Sequence, residues 1–501
     1  MVISGLLSVC TPFTITLIFF GVVLGIIFGA IPGMSATMAV ALCLPISFGL
    51  HPVQGISLLL GLYIGGISGG LISAILLKIP GTPSSIATCF DGNPMANRGE
   101  AGKALGVGIL YSFLGGLLSF LALIFIAPPI ASFSLKFSPV EYFSVTVFSL
   151  TMIASLSEGS LIKGLMSGAF GLGLSLYGSA PLDGYKRFTF GLWQLDLGFA
   201  LLSVLIGFYA ISEIIETAGN KYKVTKSNTI QFTLKGFGVS WKEFCGQLWN
   251  FFRSTIIGIG IGILPGIGGG TSNIISYVTA KSQSKYPEKF GTGIIDGVIA
   301  SEAANNATIG GALIPLLTLG IPGDSVTAML LGGLMVHGII PGPMLFATNG
   351  ELIYAIFAAL IIANIIMLIV EFFGIRIFVR LLQIPKSILL SVIVCLCVVG
   401  AFAGNNRVFD VWAMGIFGAL GFIMLKIKMP LPPVILGFIL GPILESNMRR
   451  GLQLHHGDWI PFFTRPISGV FLAIAALSII MTAIKEIRRK MRIKQPASLQ
   501  G

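Results

Sequence analysis

Long apolar runs recur from one end of the chain to the other, and charged positions fall mostly between them. About 20 apolar residues in a helix cross about 30 Å of hydrocarbon. Runs of that order predict spans at 11–28, 104–127, 142–157, 162–181, 196–216, 351–374, 387–404, 409–425, 431–447 and 467–484. The runs do not alternate: Leu117-Leu118-Ser119-Phe120-Leu121-Ala122-Leu123-Ile124-Phe125-Ile126 is nearly unbroken, whereas a membrane barrel strand alternates polar and apolar side chains. The pattern predicts helices.

Two stretches interrupt the runs in the same way. The first is Gly29-Ala30-Ile31-Pro32-Gly33, followed by Lys78-Ile79-Pro80-Gly81-Thr82-Pro83; the second is Gly262-Ile263-Leu264-Pro265-Gly266, followed by Gly320-Ile321-Pro322-Gly323-Asp324. Proline removes a backbone donor and glycine frees the backbone, so a helix stops at each break and leaves polar groups unpaired. In hydrocarbon such groups are tolerated only where protein buries them or water reaches them. Interrupted apolar segments at corresponding positions of two halves mark the binding site of a secondary transporter.

Charge placement orients the halves. No lysine or arginine precedes Lys78, whereas Arg253 precedes the second hairpin and Lys281, Lys285 and Lys289 follow it. By the positive-inside rule the first hairpin opens outside and the second inside. The expected fold is an all-α polytopic membrane protein of two inverted-topology repeats, 5–217 and 244–484, each with a re-entrant or broken-helix hairpin and a second Pro-Gly helix break. A basic cytoplasmic linker at 218–243 joins them, and a basic cytoplasmic tail covers 485–501. For 11–33 and 34–48, a re-entrant hairpin and two full crossings both fit.

Composition agrees: 54% of residues are hydrophobic and 10% charged, against about 25% charged in soluble domains. The net charge of +12 is accounted for by cytoplasmic loops and implies no nucleic-acid partner. The six cysteines, Cys10, Cys43, Cys89, Cys245, Cys395 and Cys397, lack metal-ligand spacing. No His-Glu-x-x-His pair is present and none of the four histidines lies near a nucleophile at membrane depth, so no enzyme is expected. A channel-like or uncoupled organic anion permease stays as the alternative to a carrier.

Several runs resemble the large membrane subunit of the tripartite tricarboxylate transporter family. They are Gly29-Ala30-Ile31-Pro32-Gly33, Ile79-Pro80-Gly81-Thr82-Pro83-Ser84-Ser85, Asp91-Gly92-Asn93-Pro94-Met95-Ala96, Ser301-Glu302-Ala303-Ala304-Asn305-Asn306-Ala307, Leu319-Gly320-Ile321-Pro322-Gly323-Asp324 and Pro341-Gly342-Pro343. The resemblance implies a multi-pass permease of the bacterial inner membrane that works with a small membrane subunit and a periplasmic solute-binding protein. It would import a carboxylate, a tricarboxylate such as citrate or a dicarboxylate, on a Na⁺ or H⁺ gradient; no other cofactor is expected. Two positions depart from the family pattern. Lys78 stands where asparagine is usual, and Ile67-Ser68-Gly69-Gly70 replaces a tyrosine-containing stretch.

The expected site follows from the breaks. Pro32, Gly33, Ser35 and Thr37, and Gly266, Gly268, Gly269, Gly270, Thr271, Ser272 and Asn273, resemble helix N-termini whose free N–H groups attract substrate carboxylates. Thr82, Ser84 and Ser85 follow the first half's second break and suit substrate contact or helix capping. Lys78 either pairs with a substrate carboxylate or snorkels to the cytoplasmic interface. Asp324, Ser325, Glu302, Asn305 and Asn306 are expected at the coupling ion, with Asp324 needing a cation or proton at this depth. Asp91 and Asn93 are expected in a cytoplasmic loop.

Overall fold

The computed structural model describes residues 2–156, 160–219, 239–381 and 386–494. In the first half α1 (Val2–Val9) precedes α2 (Pro12–Ala30), which Thr11 caps at its N-terminus. The Ile31–Gly33 break then admits α3 (Ala36–Phe48), capped by Ser35. With 13 residues, α3 reaches about 20 Å at 1.5 Å per residue, too short to cross about 30 Å of hydrocarbon; its length favours the hairpin over two crossings. The uncharged α4 (Pro52–Leu77) follows and is buried almost throughout. After the second break come a short 3₁₀ turn at Pro83–Ser85, α5 (Thr88–Met95) and α6 (Ala101–Ser134).

Next are α7 (Pro139–Leu156), α8 (Leu161–Ser175), α9 (Leu201–Leu205) and α10 (Ser212–Gly219). Two expected spans change here. The run 162–181 stops as helix at Ser175, and Gly178, at φ 101°, opens an antiparallel pair of two-residue strands, β1 (Gly178–Ser179) and β2 (Lys186–Arg187). The Pro181–Gly184 segment turns the chain between them, so the fold is not wholly helical. The run 196–216 is helical only from Leu201, and a π-helical turn at Ile206–Ile211 divides α9 from α10.

The second half repeats the first plan. Here α11 (Trp241–Ile263) starts in a Ser240–Glu243 capping box and ends at the Leu264–Gly266 break. It is followed by α12 (Gly268–Gln283), the buried α13 (Ile295–Leu319), α14 (Ser325–Val336), α15 (Pro343–Thr348) and α16 (Gly350–Leu381). The chain ends with α17 (Lys386–Asn405), α18 (Val408–Lys426), α19 (Leu431–Leu454), α20 (Ile460–Thr464) and α21 (Pro466–Lys494). Of the expected linker, Lys221, Lys223, Lys226 and Lys235 lie outside the described residues, as does the tail beyond Lys494. Among the described residues, eight helices are long and apolar enough to cross a membrane.

The chain divides into two compact units that do not follow the halves: 1–135 with 205–419, and 136–204 with 420–501. Each unit draws on both halves of the chain. Within the first, α2 packs along α4 and α11 along α13, α6 lies on α13, and α16 lies on α4. Within the second, α7, α8, α19 and α21 pack together, and Arg187 meets Glu445 at 2.8 Å.

Lipid supplies no hydrophobic drive between helices, so close backbone approach does the work. On α2 a Cβ at Gly25 would lie 2.5 Å from the Leu62 carbonyl oxygen of α4. Gly25→Val should therefore separate α2 from α4 and lower stability by about 1–3 kcal/mol. Gly260→Val, where a Cβ meets open space, should leave the apparent Tm in detergent unchanged; equal Tm values for the two variants would refute this account of the packing.

Candidate functional site

Each half first closes its two breaks against each other. A Cβ on Gly81 would collide with the Gly29 carbonyl oxygen, and one on Gly323 would come 2.6 Å from that of Gly262. In the second half the Gly266 N–H also donates to the Gly323 carbonyl at 2.8 Å. Only glycine admits such contact. The segment after each second break then opens with the same capping box: the Thr82 N–H donates to Ser85 Oγ at 3.4 Å, and the Asp324 N–H to Thr327 Oγ1 at 2.8 Å. Even the preceding helix ends alike, with Lys78 (φ 58°) and Gly320 (φ 73°) both in the left-handed region.

The breaks of one half then meet those of the other. Thr37 Oγ1 and Ser325 Oγ share a hydrogen bond of 3.0 Å, joining the starts of α3 and α14. A Cβ on Gly269 would come 2.9 Å from the Ser84 Cβ, and one on Gly270 would come 3.3 Å from the Pro83 carbonyl oxygen. Asn273 fastens this second meeting: its Nδ2 donates to the Ser84 carbonyl at 2.7 Å, and its Oδ1 accepts from the Ala87 N–H at 2.8 Å. All four breaks thus converge within the first compact unit.

Buried polar groups surround the meeting point. Asp324 caps α14 through Oδ1, which accepts from the Thr327 N–H and Thr327 Oγ1 at 2.7 Å each, and its Oδ2 accepts from the Tyr63 hydroxyl at 2.6 Å. Three donors and a helix N-terminus carry the charge that the sequence assigned to a cation or proton. On α13, Glu302 accepts from Thr88 Oγ1 at 2.5 Å and Ser112 Oγ at 2.9 Å. Asn306 Nδ2 donates to the Glu302 carbonyl, while Asn305 Oδ1, fully buried and unbonded, points at Gly269. Ser272 Oγ bonds Thr308 Oγ1 at 2.6 Å, tying α12 to α13.

Some expected residues remain open to a ligand. Pro32, Gly33, Ser35, Gly266, Gly270, Thr271 and Ser325 are half-buried, whereas Thr37, Thr82, Ser84, Ser85, Gly268, Gly269, Ser272 and Asn273 are buried in the contacts that hold the breaks together. Lys78 is not drawn into the group; it is an exposed C-cap at the end of α4.

Residues 15–436 match the tripartite tricarboxylate transporter TctA family. The chain belongs to that family. It is a multi-pass membrane subunit of a tripartite tricarboxylate transporter, and that family points to transport rather than catalysis. It is 36% identical over 486 residues to an uncharacterized 52.8 kDa protein of the TAR-I ttuC′ 3′ region of Agrobacterium vitis, covering 97% of this chain and 96% of that one. An uncharacterized protein of the TAR-II ttuC′ 3′ region of the same organism is 37% identical over 230 residues, 46% of this chain and 95% of that one. No solved structure matches.

In this TctA-family chain sequence reasoning passed over three groups and misplaced a fourth, Asp91. Glu213 accepts from Ser35 Oγ at 2.9 Å, below the start of α3. Tyr63 reaches Asp324 from the middle of α4. Glu371 accepts from Ser68 Oγ at 2.9 Å, and a lone carboxylate inside the apolar run of α16 is the signal that could have found it. Asp91 is no loop residue: it is fully buried on α5, where Oδ1 accepts from the N–H groups of Gly291, Gly293 and Ile294 and Oδ2 from the Tyr277 hydroxyl. The spacing Gly66-Ile67-Ser68-Gly69-Gly70 matches a nucleophile elbow, but Ser68 lies mid-helix in α4 rather than on a strand-to-helix turn.

Asn273→Ala leaves the Ser84 carbonyl and the Ala87 N–H buried without their partner, which should cost about 1–3 kcal/mol per group. Thr271→Ala should stay within about 0.5 kcal/mol of the parent. Thermal unfolding of both purified variants checks this; an unchanged Asn273→Ala would show that the two breaks are not held through that side chain.

Proposed function

We propose that the chain is the carrier of an ion-coupled uptake system: it receives a carboxylate, citrate or another tricarboxylate or a dicarboxylate, from a periplasmic solute-binding protein and moves it inward by alternating access. A small membrane subunit completes the assembly in the bacterial inner membrane. The observation that carries this reading is the convergence of four helix breaks, two from each half, on one buried polar locus. The starts of α3 and α12 offer backbone N–H groups, and α12 adds the half-buried Thr271 hydroxyl. Such groups bind carboxylates without a full positive charge.

Coupling to Na⁺ or H⁺ follows from charge. Asp324 lies at the same locus, and an arriving carboxylate would face it at low effective dielectric. A cation or proton taken up with the substrate removes that repulsion. The two halves, matching in breaks, caps and glycine contacts but opposite in the charge of their flanks, are read as inverted-topology repeats, which generate two interchangeable states around a central site.

Uptake of labelled citrate and dicarboxylates into proteoliposomes holding this chain, the small subunit and a cognate binding protein tests the reading, with Na⁺ and pH gradients imposed separately. Gradient-driven accumulation is expected. Asp324→Asn keeps a helix cap but removes the charge and should abolish accumulation while the protein stays folded; accumulation by Asp324→Asn at the parent's level would remove Asp324 from coupling, and none by the parent under either gradient would overturn the carrier.

A further inference from the structure

Away from the converging breaks, α16 carries one more carboxylate. Its outer face is apolar, with Ile365, Ile369, Phe372, Phe373 and Ile377 exposed, while Glu371 on the inner face is fully buried. Ser68 Oγ of α4 donates to Oε2 at 2.9 Å, and Oε1 has no partner. Glu302 of α13, satisfied by Thr88 and Ser112, lies within electrostatic range.

Among the described residues no cation faces this group. The elements packed on α16 are α1, α2, α4, α6 and α15. Three of them, α1, α2 and α15, hold no titratable side chain. The others supply Tyr63, bonded to Asp324; Lys103, paired with Glu243 at 2.6 Å; and Tyr111, stacked on Phe244. On α16 itself Glu351, Arg376 and Arg380 are exposed and Tyr354 is half-buried. An ionised carboxylate buried at membrane depth without a counter-charge is heavily penalised. A bound hard cation would collect about six oxygen ligands, and the hydrogen bonding offers one carboxylate and one serine hydroxyl. A proton on Oε1 removes the charge, and with it the need for a counter-charge or a ligand shell.

We propose that Glu371 is a proton-binding site of this chain, exchanging its proton during the transport cycle. Ser68 holds Oε2, so the proton is carried on Oε1. The site itself stands on the geometry alone; its part in coupling rests on the carrier reading above.

Dicyclohexylcarbodiimide, which attacks protonated carboxyls in apolar surroundings, tests the site directly on the full chain in nanodiscs, with adducts located by peptide mass spectrometry. The expected result is an adduct on Glu371 that fades as pH rises and is unaffected by Na⁺, with none on Glu371→Gln. No adduct at any pH, or an adduct suppressed by Na⁺, overturns the proton assignment, the latter in favour of a cation. In proteoliposomes Glu371→Gln should lose pH-driven accumulation, while Glu351→Gln on the exposed start of the same helix should not. Full pH-driven accumulation by Glu371→Gln overturns its role in coupling. A parent chain that forms the adduct yet accumulates nothing overturns the carrier and leaves the proton site standing.

Discussion

Backbone amides freed at a helix break cannot remain unpaired in hydrocarbon, and this chain frees them at four places. Each half solves part of the problem by pressing its two breaks together through glycine, Gly29 on Gly81 and Gly262 beside Gly323. The remainder is solved across the halves, through Thr37 with Ser325 and Asn273 with Ser84 and Ala87. A locus rich in polar groups therefore arises where the chain is otherwise most apolar, and the surrounding helices exist to enclose it.

That enclosure depends on small residues. The α2–α4 and α11–α13 pairs approach through glycines at Gly25 and Gly29 in one case and Gly258 and Gly262 in the other, each facing a carbonyl of the neighbouring helix. Larger side chains would move these helices apart and carry the breaks with them. Packing and site geometry are thus one constraint, which is why the stability of the glycine contacts and the arrangement of the polar locus are linked.

Charge is managed by hydroxyls more than by ion pairs. Asp324 is held by Tyr63 and Thr327, Glu302 by Thr88 and Ser112, Glu371 by Ser68 and Glu213 by Ser35. Neutral donors stabilise a carboxylate without cancelling its charge, so the locus stays responsive to a proton or cation that arrives with substrate. A buried arginine would have neutralised it permanently. Under the carrier reading proposed above, that responsiveness would give substrate and ion a physical reason to travel together.

The helices and their interruptions were legible in the chain because their causes are local: hydropathy sets a span, and proline or glycine ends it whatever lies elsewhere. For the same reason the sequence located the four breaks and the residues flanking them. It misjudged Asp91, whose partners lie about the 291–294 backbone, and it missed Glu213 and Glu371, whose hydroxyl partners stand 178 and 303 positions away. It left two readings open for Lys78, which is an exposed C-cap of α4. The compact units likewise join segments from both halves of the chain. By itself the sequence determined where the backbone breaks; only the tertiary structure decided which polar groups meet there, since a hydrogen bond depends on distance in space and hydropathy reports only on neighbours along the chain.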